Sequence, residues 1–239
     1  MSIVSIGNFD GVHLGHRKIL IENLNLAAKK REKSSVFSIM YPYNYYKKNF
    51  EGLIYSIDIR IEKILEIGIE RIMTASLSEI EFMSPDEFVS MLLNGGASGI
   101  VVGEDFRFGK NGTGDRNTLE KLSKKHKFEL KIINDIKEKD QRISSSLIKK
   151  FIKSGDIAEI NSLLGSPYIL YGKIIEETGE YFIQRSFEKL IQLRDGKYIF
   201  LYDKKEIEIN VNDGVYKLPG KIAQIGTKIE LQAVSRLSN

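Results

Sequence analysis

Two of the chain's three histidines, His13 and His16, fall within four positions, in the run Gly7-Asn8-Phe9-Asp10-Gly11-Val12-His13-Leu14-Gly15-His16. The run joins an apolar segment at residues 3–6 to a helical pattern that begins at Leu14. Its glycines let the backbone turn tightly and approach a ligand closely. A helix start offers free N–H groups and the positive end of the helix dipole to an anion, about 0.3–1 kcal/mol per charge at an exposed site. Two imidazoles beside it add donors for phosphate oxygens on which charge develops during reaction. The same residue types also fit a turn whose histidines only cap the helix. A metal site needs more ligands, and no cysteine or acidic ligand pattern accompanies the pair.

The elements that would hold this run alternate between strand and helix. Residues 3–6 read as a short buried strand. From Leu14 to Lys30, Leu20, Leu24, Ala27 and Ala28 share one helical face. Residues 35–40 form the next strand, and 58–67 a helix with Ile61, Ile64 and Leu65 as its inner stripe, ended by Gly68. Ser84-Pro85-Asp86-Glu87 is an N-cap, first-turn proline and capping-box glutamate, starting a helix that stops at Gly95-Gly96. A strand at 99–103, a glycine-rich loop at 104–114, a helix capped by Asp115 and a strand at 128–133 follow. Such alternation predicts an α/β fold with a parallel sheet. Parallel sheets bind ligands at the carboxyl ends of their strands, which places the loops after Ile6, Met40, Gly103 and Ile133 on one rim. Helices at about 146–154 and 157–164, separated by Gly155-Asp156, lead into six short strand-like runs punctuated by Asp195-Gly196, Asp203-Lys204 and Asp213-Gly214. That texture predicts a small antiparallel β domain from residue 168 to 239, after a first domain of residues 1–167.

Composition narrows the function classes. The net charge of +4 comes from 36 basic and 32 acidic residues, and the lysine pairs at 29–30, 47–48 and 149–150 are scattered. No concentrated basic footprint marks a nucleic-acid binder. No apolar run reaches the length of a membrane span, and the first residues lack the pattern of a signal peptide. A soluble cytoplasmic protein with small-molecule partners is expected, with neither nucleic acid nor membrane among them.

The run Gly7–His16 resembles the GxFDxxHxGH signature of the HxGH nucleotidyltransferase superfamily. In its full form, GNFDGVHLGH, it is similar to the FMN adenylyltransferase module of prokaryotic FAD synthetases. Further stretches agree in order along roughly residues 1–170. Val102-Gly103-Glu104-Asp105-Phe106-Arg107-Phe108-Gly109 resembles the family's VGEDFRFG, and Ile143-Ser144-Ser145-Ser146 its ISST. Gly155-Asp156 and Leu163-Leu164-Gly165-Ser166-Pro167-Tyr168 are similar to GDxxxAxxLLGRPY. The resemblance implies a Rossmann-like nucleotidyltransferase domain that transfers AMP from ATP to FMN, giving FAD and pyrophosphate. Gly7, Asn8, Phe9 and Asp10, with His13 and His16, would cradle the ATP phosphates. Ser144, Ser145 and Ser146 would donate to the β- and γ-phosphates, with Lys149 in the same group. Asp105, Phe106 and Arg107 would lie beside the flavin or the adenosine. Mg²⁺ would accompany ATP, with its protein ligands unassigned.

Two departures bear on that expectation. The family's ISSTxxR ends in arginine where this chain has Lys149, which keeps the charge and loses the bidentate fork. Phe37-Ser38-Ile39-Met40-Tyr41-Pro42 stands where relatives carry TFxPHP, without its histidine. Many relatives continue into a riboflavin kinase barrel with a GxPTAN motif. Residues 168–239 hold no such motif, although Tyr171-Gly172-Lys173-Ile174-Ile175 resembles that barrel's opening strand, so a reduced remnant without kinase activity is expected. The competing readings are transfer to another phosphorylated acceptor, and a flavin- or nucleotide-binding protein with little turnover.

Overall fold

Ile3, Val4 and Ile6 offer water nothing polar, and in the computed structural model they build β1 (Ser2–Gly7), buried along almost its whole length. The structure describes residues 1–138 and 141–237. They form two compact units, Met1–Phe50 with Ile57–Arg142, and Glu51–Ser56 with Ile143–Asn239.

In the first unit β1 is the middle of a five-stranded sheet of order β3 (Arg71–Ala75), β2 (Lys33–Ile39), β1, β4 (Ala97–Gly103), β5 (Glu129–Ile133), parallel throughout. The chain steps outward from β1 to β3, then returns to the other side of β1. The expected α/β architecture is therefore present, with a topological switch between β1 and β4. Side chains alternate across the sheet. Val4, Ile6, Ile100 and Val102 face a core with Phe88, Val89 and Leu92 of α4 (Pro85–Asn94) and Leu119 and Leu122 of α5 (Arg116–His126). Ile3 and Val101 face the other way, onto Leu26 and Ala27 of α1 (Leu14–Lys30), while Val36 packs with Leu20 and with Ile64 of α2 (Ile57–Glu66).

Start signals read from the sequence appear as geometry. Ser84 accepts from the Glu87 N–H while Glu87 closes the capping box, and Asp115 accepts from the Thr118 N–H at 2.9 Å. Two helix faces differ from expectation. On α1 the buried set includes Asn23, and Ala28 is exposed. Asn23 Nδ2 lies within hydrogen-bond distance of the Ile3 and Ser35 carbonyls and Ser5 Oγ, fastening α1 to β1 and β2. On α2 Leu65 is 47% exposed, and the inner face carries Arg60, Lys63 and Ile64. Both inward polar residues bond to the sheet, Asn23 within β1 and β2 and Arg60 just beyond their ends, which periodicity does not register. Strand β3 and the short α3 (Leu77–Ile80) had no counterpart in the sequence reading. A two-stranded ladder, β6 (Lys137–Glu138) with β7 (Gln141–Arg142), completes this unit.

The second unit begins with α6 (Ser145–Ser154) and α7 (Ile157–Leu164), with Gly155 as the left-handed stop and Asp156 as the next N-cap. All six expected strands follow: β8 (Ile169–Glu177), β9 (Glu180–Gln184), β10 (Gly196–Tyr202), β11 (Lys205–Asn212), β12 (Val215–Lys217) and β13 (Lys228–Arg236). They close into an antiparallel barrel of order β10-β11-β12-β9-β8-β13. Residues 51–56 are stitched to the same unit, because Leu53 N donates to the Lys189 carbonyl at 2.7 Å and Ile191 N to the Leu53 carbonyl at 2.8 Å. Gly52 permits that seam. Its φ is +109°, and a Cβ there would stand 2.3 Å from Ile191 N. Gly52→Ala is expected to cost at least about 2 kcal/mol, through left-handed strain and backbone collision. A urea midpoint equal to wild type would refute that account of the seam.

Candidate active site

The site residues in the first unit hang from the carboxyl end of β1. Beyond Gly7 the chain makes a loop with positive φ at Phe9 (54°), Gly11 (87°) and Val12 (45°). Phe9 and Val12 tolerate that conformation because both side chains are buried in the core beside Leu20, Val36 and Ile64. The Phe9 ring also closes over Gly7, where a Cβ would meet it at 3.3 Å. Asn8 Nδ2 donates to the Ile39 carbonyl at 2.8 Å, tying the loop to the end of β2.

His13 is the N-cap of α1, and its Nδ1 accepts from the His16 N–H at 3.4 Å. A neutral ring that accepts at Nδ1 carries its proton on Nε2. The His13 and His16 rings stack with centroids 3.6 Å apart and planes 18° apart, and Phe9 meets the His16 ring edge-on at 5.3 Å. Burial lowers the His13 pKa to about 4, with the nearby Arg142 charge adding to the shift and Asp105 opposing it. His16 is pushed well below the ordinary histidine value by burial, then by His13 and Arg60. Both rings are neutral at pH 7. Among the described residues the buried His16 Nδ1 has no hydrogen-bond partner, a cost that a polar ligand would relieve. The helix-capping reading is thus true of His13 and leaves His16 unexplained.

Arg142 forms an ion pair with Asp105 and a second one with Asp135 at 2.7 Å. Asp105 is thereby turned to the arginine. Phe106 and Arg107 line a cavity of about 610 Å³ together with Ile39, Tyr43, Phe82, Phe88, Phe108 and Lys110. Phe106 and Phe108 stack there, 5.4 Å apart with planes 6° apart. Arg107 lies 3.6 Å from Asp115. Such a chamber, apolar with a few polar groups at its wall, suits a planar aromatic ligand.

Ser144, Ser145, Ser146 and Lys149 belong to the second unit, at the start of α6. Ser144 is its N-cap and accepts from the Leu147 N–H at 3.2 Å. Ser146 is exposed. Lys149 adds to the lowering of the Glu51 carboxyl, which is held down chiefly by its hydrogen bond to Lys153. Among the described residues no group of three or more His, Cys, Asp or Glu side chains is placed to hold a metal ion.

Sequence reasoning missed Arg142, Arg60 and most of the aromatic chamber. The chamber draws on four separated segments, which no local pattern connects. The one local hint for Arg60 was a cation one helical turn before Ile64, on the stripe that the sequence marks as inner.

Comparison with known proteins gives a consistent picture. The family model for FAD synthetase matches residues 1–147. The chain is 30% identical over 229 residues to an FAD synthetase of Listeria monocytogenes, covering 91% of this chain and 90% of that protein. It is 30% identical over 181 residues to the bifunctional riboflavin kinase/FMN adenylyltransferase of Bacillus subtilis, covering 73% of this chain. The chain spans 56% of the length of that bifunctional protein. A crystal structure described as a macrolide-efflux protein from Streptococcus pneumoniae superposes with a TM-score of 0.83 at 20% identity, covering 99% of this chain and 86% of that one. At that identity the likeness establishes the fold alone. No helix is long and apolar enough to cross a membrane, among the described residues.

The histidine environment sets a pH dependence of stability. An unfolded histidine takes up its proton near pH 6.5, whereas His13 does so near pH 4 in the fold. As pH falls through that window the unfolded state gains the proton first, so stability present above pH 6.5 is lost down to about pH 4. For His13 alone the loss is about 3 kcal/mol. His13→Asn puts an amide oxygen in place of the capping Nδ1 and removes this titration. Urea unfolding at pH 7 and pH 4.5 should show a smaller acid loss in the variant, and an equal loss would mean that His13 titrates normally.

Proposed function

Because the chain belongs to the FAD synthetase family, we propose that it transfers the adenylyl group of ATP to FMN, releasing pyrophosphate. The observation that carries this reading is the pair of stacked, neutral imidazoles at the positive end of α1, on the carboxyl edge of a parallel sheet beside its switch point. The FMN phosphate already carries a nucleophilic oxygen, so no protein nucleophile is required. That oxygen attacks the α-phosphorus in line, a new P–O bond forms, and the bond to the β-phosphate oxygen breaks. The protein contributes alignment and stabilisation of the charge that moves onto pyrophosphate.

In this reading the Gly7–Asp10 loop and the α1 start receive the phosphates. The His13 Nε2–H donates to phosphate oxygens, and the His16 ring supplies a second polar contact. A neutral N–H donor fits this task, since it follows growing negative charge without first holding a substrate salt bridge. The aromatic chamber takes the flavin ring, with Phe106 against its face and Arg107 and Lys110 at its polar edge. Asp105 then acts through Arg142 rather than by touching the ring. Ser144, Ser145 and Ser146 would keep the β- and γ-phosphate role that their resemblance to ISST implies, with Lys149 supplying charge where the family has arginine. Mg²⁺ would accompany ATP and would supply positive charge for the leaving pyrophosphate, and the described residues offer no cluster of three or more His, Cys, Asp or Glu side chains to hold it. The barrel carries no kinase chemistry in this reading, and a cytoplasmic setting supplies both substrates.

The test is to incubate the protein with Mg²⁺ and ATP, offering FMN in one tube and riboflavin in another, and to separate the flavins. FAD from FMN alone is expected. FAD or FMN from riboflavin would restore kinase activity to the barrel, and no new flavin in either tube would leave a binding protein or another acceptor. His16→Ala is expected to lower kcat at least about tenfold at unchanged melting temperature, the cost of losing one transition-state donor. A normal rate would remove His16 from the mechanism.

A further inference from the structure

Arg60 is a cation where helix α2 ought to bury a hydrocarbon. It is 1% exposed, and its guanidinium reaches the ends of two different strands. Nη1 donates to the Asn8 carbonyl and Nη2 to the Met40 carbonyl. Asn8 and Met40 are the first residues past β1 and β2, where the ladder between the two strands stops. Carbonyls at that edge have lost their ladder partners and point negative dipoles toward any bound ligand. Asn8 Nδ2 approaches the Met40 carbonyl as well, at 3.4 Å, so one acceptor joins the arginine to the phosphate-loop side chain.

Burying a guanidinium is costly unless its donors are satisfied, and an aliphatic side chain could pack this helix at lower cost. The planar fork is what an aliphatic chain lacks, since it spans two carbonyls at once and fixes their separation. Its charge also counters the carbonyl dipoles at the edge that receives polyphosphate, and it helps to keep the His16 ring neutral.

We propose that Arg60 is a positioning residue for the triphosphate: by bridging the Asn8 and Met40 carbonyls it holds the Gly7–Asp10 loop in the shape that receives phosphate. The inference rests on the function proposed above. Arg60 does not touch substrate; it acts through the loop. A residue that only stabilised the fold would lower the melting temperature and leave the folded protein's phosphate affinity intact.

The experiment compares wild type, Arg60→Met and Arg60→Lys by thermal melting, by calorimetric binding of inorganic tripolyphosphate, and by KM for ATP against kcat in FAD formation. In folded Arg60→Met, tripolyphosphate affinity should fall at least about tenfold, with KM for ATP rising in step and kcat falling less, as expected for a displaced binding loop. Arg60→Lys keeps the charge but cannot span both carbonyls, so its affinity should lie between, at least about threefold below wild type. Wild-type affinity in folded Arg60→Met overturns the proposal. Should Arg60→Met not fold, Arg60→Lys decides, and wild-type affinity there overturns it equally. Wild type that binds tripolyphosphate in an Arg60-dependent way yet makes no FAD would sink adenylyl transfer and leave the positioning role standing. Absence of tripolyphosphate binding in wild type would sink the positioning role, while FAD formation would still decide adenylyl transfer.

Discussion

Strand β1 is hydrogen-bonded on both sides, to β2 and to β4, and both of its faces are covered by helices. A strand in that position has no freedom to slide, since a shift by one residue would turn Ile3 and Val4 onto each other's face of the sheet. Its carboxyl end is therefore a fixed point, and everything chemical in the first unit is measured from it. The loop after Gly7 turns back through left-handed backbone held by the burial of Phe9 and Val12. Asn23 then pins α1 to the two central strands from below. Helix α1 leaves the sheet in one direction only, so His13 and His16 are placed by packing far from the rings themselves.

The electrostatics follow from that burial. Two histidines in van der Waals contact cannot both be charged at low cost, and each is further discouraged by withdrawal from water and by a nearby arginine. Arg142 is the arginine at His13, itself restrained by Asp105 and Asp135, and Arg60 is the one at His16. The fixed positive groups thus sit around the rings and leave the rings neutral. In the proposed reaction such a site would draw phosphate through its surroundings and donate to it through uncharged N–H groups, which need no reorganisation as charge develops.

The second unit is organised by a different rule. Its barrel closes because β10 pairs with β13, so that the six antiparallel strands share one continuous ladder with no open edge. Residues 51–56 join it by backbone hydrogen bonds, so a segment from the first half of the sequence belongs to this fold. The start of α6 carries Ser144 as a cap whichever ligand it meets, and capping therefore says nothing for or against phosphate binding there.

The sequence alone determined the class of the fold, most element positions and the chemistry of the first turn. Those are local properties: the capping box at Ser84, the stop and start at Gly155-Asp156, the alternation of the barrel strands and the unbroken run from Gly7 to His16 are each written within a few neighbouring residues. Tertiary structure decided what local pattern cannot carry. It turned α2 so that Arg60, rather than Leu65, faces inward, because strand-end carbonyls needed a donor more than the core needed another methyl group. It gathered Tyr43, Phe82, Phe88 and Phe106 from distant segments into one chamber and turned Asp105 onto Arg142. It also made the histidines neutral, since a pKa depends on burial and on the charges that the whole fold brings near, and neither is visible in the spacing of two residues.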